Sequence, residues 1–186
     1  MVVASKALSG IGQPVAIILY DERLDVWAPG AHTGTFRGNQ LAFAAGAEAV
    51  RIVRRDDVLS NVRARAAQIA QRLDVLRTHP WVRDVRGRGL MWGVELADPV
   101  DGRPGRLAEQ VQARCLADGL IVELGGRDDR VVRLLPPLNV TAEVADIACT
   151  ILVESVESVE SVESVEAVGR SGPPVPGPPV VPTRLR

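Results

Sequence analysis

Aromatic residues make up only 3% of this 186-residue chain, which also has just two cysteines, two histidines and one lysine. Cys115 and Cys149 form no C-x-x-C pair, so a disulfide framework is excluded by number. With only His32 and His79 to assist, no metal site is expected, and reduced thiols point to the cytoplasm. The longest apolar stretch, Val15 to Leu19, is far shorter than the roughly 20 residues a spanning helix needs. Residues 1–12 lack a basic region followed by a long apolar core, so they do not read as a signal peptide. The formal net charge is −1 with 24% charged residues of mixed sign, which favours neither nucleic acid nor an anionic membrane. What the chain does have is a 46% hydrophobic fraction, mainly Val, Leu, Ala and Ile, enough to core one domain or two small ones.

The single lysine, Lys6, stands against twenty-one arginines. It ends a short apolar run and precedes a glycine turn (Ala4-Ser5-Lys6-Ala7-Leu8-Ser9-Gly10-Ile11-Gly12). A desolvated lysine loses part of its proton affinity and becomes a nucleophile toward carbonyls, a task arginine cannot perform. An arginine-biased composition accounts for a lone lysine equally well, so this context alone leaves both readings open.

The pattern predicts a strand over Met1–Ala4 and a second, fully apolar strand over Val15–Tyr20, as in a sheet covered on both faces. Residues 21–38 read as a loop. A helix follows from Leu41 with Asn39 as its N-cap, and another from Asp57 to Arg77, capped by Asp56 or Asp57. After His79-Pro80 come strands at Val82–Val85 and Gly89–Leu96 around an Arg86-Gly-Arg-Gly turn, then a turn-rich loop, Asp98–Gly105. Leu107–Asp118 reads as a helix closed by Gly119, and Leu120–Leu124 and Arg130–Leu135 as strands around Gly125-Gly126. Thr141 caps a last helix with Val144, Ile147, Ala148, Ile151 and Leu152 as its apolar stripe. The order describes an α/β lobe separate from the first 78 residues.

The tail repeats Val-Glu-Ser from Val153. Each three-residue step turns a helix by about 300°, so the valines drift and form no steady face. Repeated glutamates repel at i,i+3, and the segment reads as a fraying helical extension without specific chemistry. Ser171–Arg186, with six prolines, reads as disordered or polyproline-like.

Gly30-Ala-His-Thr-Gly-Thr-Phe-Arg-Gly-Asn-Gln-Leu is a turn of glycines and threonines that opens onto a helix N-terminus. Outward N–H groups, a hydroxyl and the helix dipole together suit an anion. An ordinary capped loop has the same spacing. Taken together, Ser5-Lys6 with its glycine turn, His32-Thr-Gly-Thr35-Phe-Arg-Gly-Asn39, Val85-Arg-Gly-Arg-Gly-Leu-Met-Trp-Gly-Val-Glu-Leu96 and Val132-Arg133-Leu-Leu-Pro-Pro-Leu138 resemble the class III (fold type I) aminotransferases. The resemblance covers about residues 1–153. Within the class, Gly12-Gln-Pro-Val-Ala, Leu24–Gln40 and His79-Pro-Trp-Val are most similar to diaminobutyrate–2-oxoglutarate aminotransferases.

The resemblance implies pyridoxal 5′-phosphate as cofactor and amino and 2-oxo acids as substrates. It implies a homodimer with a shared active site, and no membrane or nucleic-acid partner. Lys6 would condense with the cofactor aldehyde and, once released, move the proton at the substrate Cα. Thr35 would bind the cofactor phosphate, reaching the neighbouring subunit's site, with the backbone at Phe36 as a further donor. Arg133 would receive a substrate carboxylate, a bidentate task that suits a planar guanidinium; a strand-edge salt bridge is the other reading for it. Ser9 stands where the family commonly has glycine. Arg86 and Arg88 read as turn residues, His32 as a loop-packing residue, and Trp27, Trp81 and Trp92 as packing residues.

The fold expected is α/β. Residues 1–78 would be a remnant of the large cofactor-binding domain with its connecting helix, 79–153 the small C-terminal α/β domain, and 154–186 a low-complexity helical extension with a disordered proline-rich tail. In the family, a phosphate loop, an aromatic over the pyridine ring and an aspartate on the ring nitrogen all precede the lysine, and none has a counterpart within Met1–Ser5. The expectation is therefore the C-terminal part of an aminotransferase, inactive or nearly so alone. Two other readings stand: a class III transaminase for a different ω-amine, and a non-catalytic chain that only associates with a homologous subunit.

Overall fold

The computed structural model describes residues 1–10, 12–55, 57–97 and 104–169, with side chains as far as residue 158. Ile11, the Asp56 cap, most of the 98–105 loop, the later Val-Glu-Ser side chains and the proline-rich tail lie outside the described residues.

The N-terminal segment is a hairpin and a helix. Strand β1 (Val2–Ser5) runs into a 3-10 turn, Lys6–Ser9, and pairs antiparallel with β2 (Ala16–Leu19) in the register Val2↔Leu19 to Ser5↔Ala16. Helix α1 (Gln40–Arg55) starts where Asn39 predicts, its Oδ1 accepting from the amides of Leu41 at 3.0 Å and Ala42 at 3.2 Å. Ala42 and Gly46, four residues apart on one face, are its buried positions. A Cβ on Gly46 would lie 3.4 Å from the Leu8 carbonyl, so the small residues of α1 let the 3-10 turn approach its backbone closely.

The expectation of a sheet covered on both faces is corrected. β1 and β2 form a two-stranded sheet. Ala4 and Ile17, on the face toward α1, are half-buried, whereas Val3 and Ile18 remain 65% and 50% exposed. Among the described residues no helix or second sheet covers that outer face; the 21–38 loop lines it only in part, beside Ile18, so the apolar run lacks the burial that such composition usually reflects.

The rest of the chain builds one core. Helix α2 (Val58–Leu73) continues into a 3-10 turn, Asp74–Thr78. Asp57 precedes α2 but makes no side-chain cap: its backbone is left-handed (φ 47°), not in the extended region from which a capping carboxylate reaches the first amides. Strands β3 (Val82–Arg88), β4 (Met91–Leu96), β5 (Glu123–Gly125) and β6 (Val131–Leu134) form an antiparallel sheet of order β3-β4-β6-β5. β3 runs through the residues expected as a turn, and the reversal falls at Gly89-Leu90. Gly87 faces Trp92, whose indole lies across it and donates from Nε1 to the Gly89 carbonyl at 2.9 Å. Gly89 takes the left-handed position (φ 58°).

Helix α3 (Arg106–Ala117) ends as expected at Gly119, where the Leu120 amide donates to Cys115 O and the Gly119 amide to Leu116 O. Helix α4 (Ala142–Gly169) begins at Thr141, whose hydroxyl accepts from the Val144 amide at 3.3 Å. Ile69, Leu73 and Leu76 from α2 and its extension join Val85, Trp92, Val94, Val132, Leu134, Leu107, Val111 and Cys115 in the core. The stripe of α4 is only partly the expected one: Leu152 is in the core and Ala148 and Ile151 pack against it. Ala145, Cys149, Leu152 and Val156 are buried, while Val144 and Ile147 are exposed. The start of the Val-Glu-Ser repeat therefore packs: Val153 lies against the core, buried Ser155 pairs with Cys115 at 3.4 Å, and Val156 of the second unit is in the core.

Candidate active site

Lys6 follows β1 immediately, and its backbone is left-handed, with φ 54°. A non-glycine residue pays about 1–2 kcal/mol to sit there, so the surroundings must hold it. They do so from both sides. Ser5 Oγ donates to the Val15 carbonyl at 3.1 Å, and the Gly10 amide donates to Ala7 O at 3.0 Å. Ser9 is buried, and its hydroxyl donates to the Gln13 carbonyl, so a serine is accommodated in this turn. The Lys6 side chain is exposed and has no hydrogen bond or ion pair among the described residues. The amine is thus open to an electrophile, but the apolar run does not itself desolvate it.

Thr35 and Phe36 stand on the turn that leads from the 20–39 loop into α1, both exposed, Phe36 at 97%. Asn39 has already claimed the amides of Leu41 and Ala42, so the helix N-terminus has less to offer an anion than the sequence suggests. The Arg37 amide is taken by Gly34 O at 3.2 Å. What remains for an anion is the turn itself: the Thr35 hydroxyl and the amides of Thr35 and Phe36, unpartnered among the described residues.

Arg133 lies on β6, opposite Gly93 on one side and Glu123 on the other. Val132 and Leu134 point into the core, so Arg133 occupies the other face. Its guanidinium lies along β5: a Cβ on Gly125 would fall 2.9 Å from Nε. Nη2 donates to Glu123 Oε2 at 2.8 Å and to Leu124 O at 3.2 Å, while Nε is buried without a partner. The salt-bridge reading of Arg133 therefore holds in this structure, and any external carboxylate meets Glu123 already in place. The Glu123 partner was missed in the sequence; the Gly125-Gly126 hairpin, continued back in register, points to it.

These residues divide between two segments. Lys6, Thr35 and Phe36 belong to the hairpin–loop–α1 segment and Arg133 to the four-stranded sheet, with no hydrogen bond or ion pair joining the two sets among the described residues. Of the remaining candidates, Arg86 is held between Asp84 at 2.8 Å and Glu95 at 2.6 Å on the sheet. His32 stacks on Trp27 with ring centroids 5.6 Å apart, and Trp27 meets Tyr20 edge-on at 6.4 Å. Trp92 is buried, whereas Trp27 is 54% exposed despite these contacts.

The arrangement is that of part of a fold type I pyridoxal-phosphate transferase. Ornithine δ-aminotransferase of Plasmodium falciparum superposes with a TM-score of 0.75 at 30% identity, covering 86% of this chain and 40% of that one. The ornithine aminotransferase of Toxoplasma gondii, whose active site is described with pyridoxal phosphate, superposes with a TM-score of 0.73 at 28% identity, covering 87% of this chain and 37% of that one.

The chain belongs to the class III aminotransferases: the family model "Aminotransferase class-III" matches residues 1–156. A diaminobutyrate–2-oxoglutarate aminotransferase of Rhizobium meliloti (strain 1021) is 41% identical over 159 residues, covering 80% of this chain and 33% of the relative. The diaminobutyrate–2-oxoglutarate transaminase of Marinococcus halophilus is 37% identical over 153 residues, covering 81% and 34%. The chain thus spans about a third of the length of the curated relatives it matches. Pyridoxal phosphate is the cofactor of this family. The residues present fit two of its demands, with an unpaired amine for the aldehyde and a hydroxyl with open amides for the phosphate. Among the described residues no helix is long and apolar enough to cross a membrane, and no cluster could hold a metal ion.

Proposed function

We propose that this chain carries the lysine and the substrate-carboxylate arginine of a pyridoxal-phosphate aminotransferase of the diaminobutyrate–2-oxoglutarate type. The reaction moves an amino group from glutamate to aspartate semialdehyde, giving 2-oxoglutarate and 2,4-diaminobutyrate. The observation that carries this reading is Lys6, an unpaired, exposed amine on a pinned left-handed turn at a strand end. The substrate pair is supported by the relatives' names. The likeness to ornithine aminotransferases supports a second reading, transfer from another ω-amine, and assays with several donors separate the two.

When bound, the cofactor supplies an aldehyde that carries the amino group and a ring that withdraws electrons from the substrate Cα. The residues supply the rest. Lys6 Nζ anchors the aldehyde and, once released, takes the Cα proton and returns it, an acid–base role made efficient by its fixed backbone. Thr35, with the Phe36 amide, receives the phosphate, and in a homodimer it serves the neighbouring subunit. Arg133 receives the substrate carboxylate after releasing Glu123. Residues 1–78 correspond in this reading to part of the large domain and its connecting helix, 79–153 to the small domain and 154–186 to an extension, in a cytoplasmic protein. The exposed Val3–Ile18 face also suits a chain that only associates with a homologous subunit, and light scattering with and without cofactor identifies that case.

The test is to mix the purified chain with pyridoxal phosphate, reduce with borohydride and map the adduct by mass spectrometry. An adduct confined to Lys6 is expected. A label distributed over the N-terminal amine alone would sink the assignment.

A further inference from the structure

We propose that Trp27 is a positioning residue for the turn that carries Thr35, and that affinity for the cofactor phosphate depends on its aromatic ring. The inference rests on the reading of Thr35 as a phosphate ligand. The loop over residues 21–38 has little regular structure of its own beyond a 3-10 turn, Glu22–Leu24. Among the described residues, its side-chain hydrogen bonds toward the end of β2 run through one cluster at Tyr20. Trp27 Nε1 donates to Tyr20 Oη at 3.3 Å, and Tyr20 Oη donates to Asp25 Oδ1 at 3.3 Å. Trp27 then stacks on His32, the two planes 29° apart. Tyr20 directly follows β2, and His32 stands three residues before Thr35.

The cluster lines one side of an open hollow of about 620 Å³ beside Ala16 and Ile18, on the face of β2 turned away from α1. The loop is thereby folded back on the strand whose first residue pairs with Ser5, the neighbour of Lys6. An exposed loop pinned at its middle by two rings has fewer geometries open to it; without them, its residues regain backbone freedom. Thr35 would then sample many positions, and a hydroxyl displaced by about 1 Å loses most of its value as a ligand.

The experiment uses the full chain and two aldehydes, pyridoxal phosphate and pyridoxal, which differ only in the phosphate. Their affinity ratio, read from visible absorbance, isolates the phosphate grip. Trp27→Ala is expected to lower that ratio about tenfold with little change for pyridoxal itself, a misplacement effect. Trp27→Phe, which keeps a ring for His32 but loses the N–H, should recover most of it. Amide relaxation over residues 31–38 should show faster motion in Trp27→Ala, with α1 unchanged. If Trp27→Ala does not fold, His32→Ala removes only the stack and carries the same expectation. A ratio lost in Thr35→Ala but kept in Trp27→Ala overturns the proposal alone. A wild-type chain that does not distinguish the two aldehydes sinks the phosphate reading and this proposal with it.

Discussion

Replacing Glu123 by glutamine should make Arg133 a better receptor for carboxylates. A guanidinium binds a carboxylate with two parallel N–H donors, either Nη1 with Nη2 or Nε with Nη2. Both forks need Nη2, and Glu123 Oε2 sits on it at 2.8 Å. An incoming carboxylate must therefore break this pair, whose partners are 41% and 63% exposed. Exposed pairs contribute about 0.2–1 kcal/mol, so removing the competing charge should tighten binding by about 1.4- to 5-fold. The gap should narrow as salt rises and screens the pair. The assay is a titration with 2-oxoglutarate and with glutarate, followed at the Arg133 Nε–H resonance, with Arg133→Gln as the blank. Glutamine keeps the size of the side chain and can still accept from Nη2, so folding should be unaffected. Equal or weaker binding in Glu123→Gln would refute the reasoning. It would mean that Glu123 orients the guanidinium rather than occupying it.

Gly125→Ala puts a methyl group 2.9 Å from Arg133 Nε and should swing the guanidinium off β5. The same titration should show weakened carboxylate binding with a stability change under about 1 kcal/mol, because the flexible end of a side chain yields. Gly87→Ala places its methyl group inside the Trp92 indole, which is packed in the core, and should cost about 1–3 kcal/mol in urea unfolding. Burial pushes the Cys149 thiol up from its ordinary 9.0 to about 11, against the opposing pull of Arg72. The folded chain then keeps a proton that the unfolded chain releases, so stability should fall as pH rises from about 9 toward 11, and Cys149→Ala should lack that part of the slope in pH-dependent melting. Lys6→Gly should leave the melting temperature unchanged or raise it, relieving up to about 1–2 kcal/mol of left-handed strain, while abolishing the borohydride adduct.

Most local signals in which one residue decides the structure were legible, Asp57 with its left-handed backbone being the exception. Asn39, Thr141 and Gly119 each carry their own capping chemistry, and each is used as expected. The sequence failed where a choice depends on what lies opposite. In α4, Val144 and Ala145 differ by about 100° around the axis, so two stripes compete. The core selected the row with the smaller residues, Ala145 and Cys149, where α4 meets α2 and α3. The reversal between β3 and β4 moved to Gly89 because Gly87 is needed flat under Trp92, a cross-strand demand that no window along one strand contains. For the site, Lys6 was singled out by scarcity and Arg133 by motif. Trp27 and His32 pack as expected, but their pairing with each other and with Tyr20, like the Glu123 partner of Arg133, is not legible along the chain because each is defined by a partner across a loop or a strand pair.

The strain at Lys6 gives the candidate site its coherence. A left-handed lysine on an exposed hairpin would ordinarily relax, since its side chain gains nothing from neighbours that could offset the cost. The turn around it is over-determined instead: Ser5 ties β1 to Val15, the Ser9 hydroxyl bonds across to Gln13, and Gly46 of α1 is bare so that Leu8 can approach. Three separate segments thus specify the direction in which the Lys6 side chain leaves the backbone. A merely structural turn gains little from lysine at this position, where glycine or asparagine would sit without strain. A nucleophile gains from it, because a fixed backbone spares part of the entropy that the amine must lose before it can attack.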